Sequence, residues 1–330
     1  MLSGLPPGPN LVVQTLQGET MGTSWSVRAV LPGERSLASW RAGIQATLDL
    51  VDGQMSTYKP QSALSRFNAA QADSWHALPA ECFEVIAHAL EVARDSGGAY
   101  DPTVGPLVNL WGFGPGAPRR EPPSEAAVAV ARERVGWWKL KLDRATRSVY
   151  QPGGIYLDLS SVAKGYGVDR VGRYLDSIGV DAWLVEVGGE LKGHGSKPDG
   201  SPWRIGVERP GAADGAVERM DQLSQVVTLS GRAIATSGDY RRQFEAGGSS
   251  FSHHIDPRTG QPVPHLVASV SVLARDAIDA DPMGTLMTVL GPVQGLAYAR
   301  EHGLAVLFIL HGINGPEERL SPAFAEALHS

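Results

Sequence analysis

The sequence holds a single cysteine, Cys82, among its 330 residues. A lone cysteine excludes an internal disulfide and a metal site built from cysteines. Cys82 lies in an apolar helical stretch, which indicates a core residue. The cysteine count by itself does not distinguish an oxidising from a reducing compartment.

Long apolar runs and an excess of basic charge are also missing. The longest apolar run, Leu304 to Leu310, is far too short to cross a bilayer. The formal net charge of −6 and the lack of a basic stripe argue against nucleic acid as the main partner. The N-terminus has neither the basic nor the apolar region of a signal peptide. The protein is therefore expected to stay in the cytosol or to begin after a removed leader.

Several common motifs of catalysis and nucleotide binding are absent. The chain contains no Gly-x-Ser-x-Gly elbow, no His-Glu-x-x-His pair, no Walker loop and no Gly-x-Gly-x-x-Gly after a strand. Interpretations as a common hydrolase, a zinc protease or a Rossmann enzyme therefore have no support. Predicted helices and strands are mixed without a regular strand–helix–strand alternation, which favours an α+β fold over a doubly wound sheet.

The most informative stretch is residues 158–169, Asp-Leu-Ser-Ser-Val-Ala-Lys-Gly-Tyr-Gly-Val-Asp. A short β-like run at 155–157 precedes it, and apolar residues with helical spacing follow it. Such a strand-to-helix junction holds anions, because free backbone N–H groups and the positive end of the helix point at one spot. An ordinary turn with Lys164 at the surface is the alternative.

A carboxylate and a hydroxyl, Asp281 and Thr285, stand where a helix would place them on one face. Two such hard oxygen ligands suit Mg²⁺ or Ca²⁺ beside a phosphate. Asp281 followed by Pro282 is also typical of a helix start, with aspartate at the N-cap and proline at N1. Both interpretations stay open at this point, and the two roles can coincide.

Adjacent histidines, His253 and His254, fall in a predicted strand near 250–255. Neighbouring side chains on a strand point to opposite faces, so both cannot bind one metal. One is expected to face a cleft and the other the core or solvent, and either could act as a general base. The following segment 256–260 is equally compatible with turn chemistry alone. Aromatic residues in polar loops, Tyr58 and Tyr100, could stack on a flat ring ligand.

Eight segments in sequence order resemble the ApbE family, the FAD:protein FMN transferases. The match runs from Met21 to about Gly291, most of the chain. Its segments are 21–23, 55–68, 100–114, 158–169, 187–190, 236–240, 253–260 and 281–291. The resemblance implies an α+β protein of two intimate lobes over 21–330, with FAD in the cleft between the lobes. Residues 1–20 are then expected to form a loose N-terminal segment.

The resemblance also implies a set of site residues, with FAD as bound substrate. Mg²⁺, with Ca²⁺ or Mn²⁺ as alternatives, would be held by Asp281, the hydroxyl of Thr285 and the backbone carbonyl of Ser161. His253 would accept a proton, and Asp281 would serve catalysis as a metal ligand. By motif position, the FAD contacts would come from Met21, Tyr58, Ala99, Tyr100, Asp101, Asp158, Lys164 and Ile255.

The implied reaction cleaves the FAD pyrophosphate, leaves FMN on a protein hydroxyl and releases AMP. The partner is then an acceptor flavoprotein subunit with a short target motif containing threonine or serine. Two alternatives are an FAD pyrophosphatase, which releases free FMN and AMP, and an FAD carrier without turnover. Relatives usually work in the bacterial periplasm or envelope, so the compartment stays open.

Two positions depart from some relatives of this family. Gly284 stands where some carry a second aspartate immediately before the metal threonine, which leaves the number of ligands and the metal preference open. Lys164 stands where some carry glutamate. Lysine favours direct pairing with phosphate, so FAD binding is expected to be retained.

Overall fold

A computed structural model describes residues 11–33, 37–119, 121–209, 223–238, 243–246, 249–264, 267–313 and 315–329. In chain order the strands are β1 (Leu11–Thr20), β2 (Thr23–Pro32), β3 (Ser74–Ala77), β4 (Lys141–Asp143), β5 (Ser148–Gln151), β6 (Trp183–Val187), β7 (Glu190–His194), β8 (Trp203–Glu208), β9 (Leu223–Leu229), β10 (Arg232–Gly238), β11 (Gln243–Ala246), β12 (Ser249–Ser252), β13 (Ile255–Asp256), β14 (Gln261–Pro262), β15 (Val267–Ala274), β16 (Ala305–Leu310) and β17 (Glu317–Leu320). The helices are α1 (Ala38–Met55), α2 (Ala63–Asn68), α3 (Ala80–Asp95), α4 (Gly105–Leu110), α5 (Glu125–Arg132), α6 (Ala163–Ser177), α7 (Ala277–Glu301) and α8 (Pro322–Ala327). This mixture of helices and sheet confirms the α+β prediction.

An eight-stranded sheet forms the centre, in the order β1-β2-β6-β7-β10-β15-β16-β17, and its neighbouring strands are antiparallel. Alternate residues of each strand face opposite sides, so both faces can be covered. On β6, Val185 packs against α1 and α6, whereas Leu184 packs towards the β8–β9 ribbon and α8. The prediction of two lobes stays a prediction.

A smaller sheet, in the order β3-β5-β4, lies beside helices α2 and α3. A separate apolar cluster holds the loop after α4 to the turn before β14. Within it, Trp111 packs with Ile255, and the Trp111 indole N–H donates a hydrogen bond to the carbonyl oxygen of Gly260 at 2.9 Å. The loop and the turn, far apart in sequence, are therefore fixed to each other.

The expected loose segment over residues 1–20 is wrong for residues 11–20. These residues form β1, which pairs with β2 without a register shift from Leu11 to Thr20. Leu16 on the inner face of β1 is buried, so the alternation of side chains anchors the strand to the core. Residues 1–10 lie outside the part of the chain that the structure describes.

Two local expectations near the site also need correction. The β-like run at 155–157 does not form a strand. Helix α7 begins at Ala277 with Asp276 at the N-cap, so Asp281 lies inside the helix and does not cap it. A break interrupts α7 at Gly291, where φ is 70° and ψ is 176°.

Candidate functional site

The segment that leads into α6 is held by a side chain and a loop instead of a sheet. Asn68 donates to the Leu157 carbonyl and accepts from the Leu157 N–H, both at 2.8 Å. The next N–H, of Asp158, donates to the Pro102 carbonyl at 2.8 Å. These bonds replace a strand partner, and they fix the direction in which the chain enters the helix.

The beginning of α6 packs closely on α7. The Gly165 N–H donates a hydrogen bond of 2.9 Å to a carboxylate oxygen (Oδ2) of Asp281. A Cβ atom at position 165 would lie 2.2 Å from the Ala277 carbonyl oxygen and 2.8 Å from the Asp281 Cβ. Glycine at 165 is therefore required for this approach, which brings the late-chain carboxylate to the mid-chain lysine–glycine bend.

Three charged side chains meet at this point. The Lys164 ammonium forms an ion pair with Glu190 and lies 3.9 Å from the other carboxylate oxygen (Oδ1) of Asp281. Both carboxylates are buried, with 2% of Glu190 and 4% of Asp281 exposed. Burial raises the pKa of Glu190 to about 8 and also raises the pKa of Asp281, while Lys164 opposes both shifts. The Glu190 Oε2 atom is buried without a hydrogen-bond partner among the described residues.

The loop around Tyr100 forms one side of the same region. The Ser161 hydroxyl donates to the Tyr100 phenol oxygen at 3.1 Å. Burial raises the pKa of Tyr100, and the negative charges of Asp281 and Asp158 raise it further. The Tyr100 phenol therefore lies close to the Ser161 hydroxyl and within reach of the negative charges of Asp158 and Asp281.

Asp101 was predicted to contact the ligand, but the structure occupies its carboxylate with local bonds. It accepts from the Thr103 N–H at 2.8 Å, from the Thr103 hydroxyl at 2.7 Å and from the Trp137 N–H at 3.1 Å. Only 4% of Asp101 is exposed, and 1% of the neighbouring Ala99. Asp101 thus organises the loop that carries Tyr100. Tyr58, by contrast, is 60% exposed.

The turn between β1 and β2 reaches the same lysine. Met21 has a left-handed backbone (φ 49°), which is uncommon for a residue with a side chain. Gly188, with φ 63°, approaches from the turn after β6. A Cβ at Gly188 would lie 2.8 Å from the Thr23 methyl group and 3.2 Å from the Lys164 Cδ. The predicted segments 21–23, 158–169 and 187–190 therefore converge.

Asp281 and Thr285 are one helical turn apart in α7, as predicted, and Gly284 between them lies against β10. A Cβ at Gly284 would lie 2.6 Å from the Ser237 hydroxyl oxygen on β10. Gly284 therefore lets α7 pack directly on the sheet. The predicted segment 236–240 is described only as far as Gly238.

The histidines belong to a second group of site residues. Strand β12 ends at Ser252, so His253 and His254 lie in a bend, and their ring centroids are 4.0 Å apart. The expectation that they face opposite sides of a strand is therefore wrong. His254 is buried, and burial lowers its pKa well below the ordinary value. His253 is partly exposed and lies beside Phe113, with ring centroids 6.3 Å apart.

The donor set fits a hard divalent cation. Among the described residues, no three His, Cys, Asp or Glu side chains gather as a cluster, so a site built from protein carboxylates and imidazoles alone is not available there. Asp281, however, uses one oxygen for Gly165 and presents the other towards Lys164. Mg²⁺ commonly combines one or two carboxylates with substrate phosphates and waters. The residues present agree with that pattern.

Sequence reasoning missed the carboxylate of Glu190 as a partner of Lys164. The segment 187–190 was singled out only because its glycines let backbone approach a ligand. A charged residue directly after two glycines at a strand end was the available signal. No local pattern linked it to a lysine 26 positions earlier.

Comparisons with known proteins point to one family. A family model described as "ApbE family" matches residues 21–308. A protein of Klebsiella pneumoniae named "FAD:protein FMN transferase" is 38% identical over 323 residues, covering 97% of this chain and 90% of that protein. A protein of Haemophilus influenzae with the same name is 39% identical over 320 residues, covering 94% of this chain and 90% of that protein.

Solved structures show the same similarity. The apo form of the Pseudomonas stutzeri flavinyl transferase ApbE superposes with a TM-score of 0.88 at 37% identity, covering 97% of this chain and 98% of that one. The flavin transferase ApbE of Vibrio cholerae superposes with a TM-score of 0.85 at 36% identity, covering 96% and 100%. No helix in the described part of the chain is both long and apolar enough to span a bilayer.

Proposed function

The chain belongs to the ApbE family, and we propose that it transfers FMN from FAD onto a hydroxyl group of an acceptor protein through the Asp281–Lys164 site. It is an FAD:protein FMN transferase, as its relatives are named. The finer parts of the proposal are the residues, the metal, a threonine or serine as the acceptor, and AMP as the leaving group.

The observation that carries the proposal is the meeting of Asp281 with the start of α6. A carboxylate alone would repel a diphosphate. Here Lys164 lies 3.9 Å from Asp281, and the N-terminus of the 15-residue helix α6 adds the positive end of its helix dipole. A divalent cation on Asp281, the Thr285 hydroxyl and the Ser161 carbonyl would supply the remaining positive charge and act as a Lewis acid when bound.

Lys164 can pair with two negatively charged groups, the Glu190 carboxylate and a phosphate. It pairs with buried Glu190. Its ammonium can donate several hydrogen bonds, so it can keep Glu190 while it contacts a phosphate oxygen. We infer that Glu190 orients Lys164, and that Lys164 neutralises charge on the diphosphate during transfer.

The transfer forms one bond and breaks one. The acceptor oxygen attacks the phosphorus of the FMN half, the P–O bond to the AMP half breaks, and AMP leaves with the bridging oxygen. A ring nitrogen of His253 accepts the proton of the attacking hydroxyl. His253 suits this role better than His254, because His254 is buried and its neutral form is favoured. Alignment and charge neutralisation supply most of the catalysis.

The experiment incubates purified protein with FAD, MgCl₂ and a candidate acceptor protein, and follows the products by mass spectrometry. An acceptor that gains the mass of FMN, together with released AMP, supports the transferase. Free FMN with an unmodified acceptor would identify a pyrophosphatase, and intact FAD would identify a carrier. Either of the latter results would overturn the proposal.

Variants test the assigned roles. Asp281→Asn should abolish metal-dependent transfer, and His253→Ala should keep FAD bound but lose about 10²–10⁴-fold in rate. Asp279→Asn is the matched control, because Asp279 is on the same helix but its side chain is 48% exposed and pairs with His88. Unchanged transfer by Asp281→Asn or His253→Ala would refute the corresponding role.

A further inference from the structure

A second buried ion pair lies next to the one at Lys164. Glu190 and Lys192 are two residues apart on β7, so their side chains share one face of the strand. Lys192 pairs with Asp169 of α6 at 2.7 Å and also with Asp276 at the N-cap of α7. Strand β7 therefore contacts α6 through two pairs of opposite polarity, Glu190 with Lys164 and Lys192 with Asp169.

Asp169 also caps α7 from outside that helix. Its carboxylate accepts from the Ala277 N–H at 3.2 Å and from the Ile278 N–H at 2.9 Å. The N-cap residue itself, Asp276, provides no side-chain cap. The first N–H groups of a helix have no partner within it, so an external carboxylate there is stabilising.

The two helices thus cap each other. Asp281 of α7 accepts from Gly165 near the start of α6, and Asp169 of α6 accepts from Ala277 and Ile278 at the start of α7. Gly165 and Asp169 are one turn apart on α6, and Ala277 and Asp281 are one turn apart on α7. The helices therefore run antiparallel: Gly165 meets Asp281, and one turn further along α6 Asp169 meets Ala277.

We propose that Asp169 and Lys192 are positioning residues for the cation site. Asp169 sets where α7 begins relative to α6. The Lys192 ammonium holds the Asp169 carboxylate in place and neutralises the charge of that carboxylate. The place of the α7 start determines where Asp281 and Thr285, one and two turns later, stand relative to Lys164. Neither Asp169 nor Lys192 contacts the substrate in this scheme, which rests on the proposed function.

The test compares Lys192→Met, Lys192→Arg and Asp169→Asn with the wild-type protein. We expect Lys192→Met to raise the Mg²⁺ concentration for half-maximal transfer by about 10–100-fold, the range for residues that orient metal ligands. Lys192→Arg should return it to within about threefold of wild type. FAD affinity without metal, measured by the quenching of FAD fluorescence in EDTA, should change less than threefold.

A second readout does not depend on turnover. The rise in Tm that MgCl₂ produces in the FAD-saturated protein should shift to higher Mg²⁺ concentration in Lys192→Met and Asp169→Asn. Arg144→Met is the control, because Arg144 forms an exposed ion pair with Glu91. Its magnesium titration should equal that of wild type.

A wild-type magnesium titration in Lys192→Met and Asp169→Asn, even with a lowered Tm, would overturn the positioning role. Should Lys192→Met fail to fold, Asp169→Asn carries the same test, because the asparagine side chain keeps the shape of aspartate and one of its two acceptor oxygens. Failure of the proposed function gives a different pattern. In that case Asp281→Asn transfers FMN as well as wild type, whatever the Lys192 variants do.

Discussion

Replacing Gly165 by alanine should destabilise the protein and damage the site together. The new Cβ would lie 2.2 Å from the Ala277 carbonyl oxygen, a backbone atom that cannot rotate away. Overpacking costs about 1–3 kcal/mol. Loss of the Gly165 hydrogen bond to the charged Asp281 carboxylate costs about 1.5–3 kcal/mol. Alanine gains about 1 kcal/mol in helix propensity, so the net loss is about 1.5–5 kcal/mol.

The assay is thermal unfolding by circular dichroism, with transfer activity measured in parallel. A loss of that size corresponds to a fall in Tm of about 2–7 °C for a chain of 330 residues. Gly53→Ala is the matched control, because Gly53 lies inside α1 and nothing surrounds its Cβ position within 4 Å. It should gain about 0.5–1 kcal/mol. If Gly165→Ala were as stable as Gly53→Ala and fully active, the close packing of α6 on α7 would be refuted.

Further predictions concern three buried polar groups. Asp101→Ala leaves buried N–H and O–H donors unpaired and should lower the free energy of unfolding in urea by about 3 kcal/mol. Asp199→Ala removes a similar but exposed Asx turn and should leave the urea midpoint unchanged. Equal effects of the two substitutions would contradict this argument. Tyr100→Phe removes the acceptor of the Ser161 hydroxyl and should lower the free energy of unfolding by about 1 kcal/mol. It should also raise the Mg²⁺ concentration for half-maximal transfer, and a magnesium titration equal to that of wild type would contradict this second part. Burial lowers the pKa of His254 below its ordinary 6.5, so the unfolded chain binds the extra proton and stability is lost as the pH falls below about 6.5. His254→Leu should reduce that slope in Tm against pH, and an unchanged slope would exclude His254 as its source.

Much of the fold class and part of the site could be predicted from local sequence. The spacing of Asp281 and Thr285 on one face of a helix depends only on helical geometry, and α7 carries both one turn apart. Residues 163–177 form the predicted helix after the lysine–glycine bend. The resemblance, which places Asp281 and the Ser161 carbonyl on one cation, also predicts the meeting of that bend with Asp281. The roles of these residues in catalysis stay predictions.

The remainder depends on contacts between distant parts of the chain. Asp281-Pro282 has the local pattern of a helix start, but Asp169 caps the helix one turn earlier, and nothing near residue 281 indicates that partner. The β-like run at 155–157 does not form a strand, because Asn68 takes the bonds to Leu157 that a neighbouring strand would have provided. Long-range partners of this kind leave no trace in periodicity.

The break at Gly291 has a mechanical consequence for the enzyme. Its φ of 70° and the following Pro292 end one run of helical hydrogen bonds and start another. The part that carries Asp281 is thus a short rod of residues 277–290, oriented by its own first turn and by the sheet beneath it. Residues 292–301 are therefore not joined to Asp281 by one continuous run of helical hydrogen bonds.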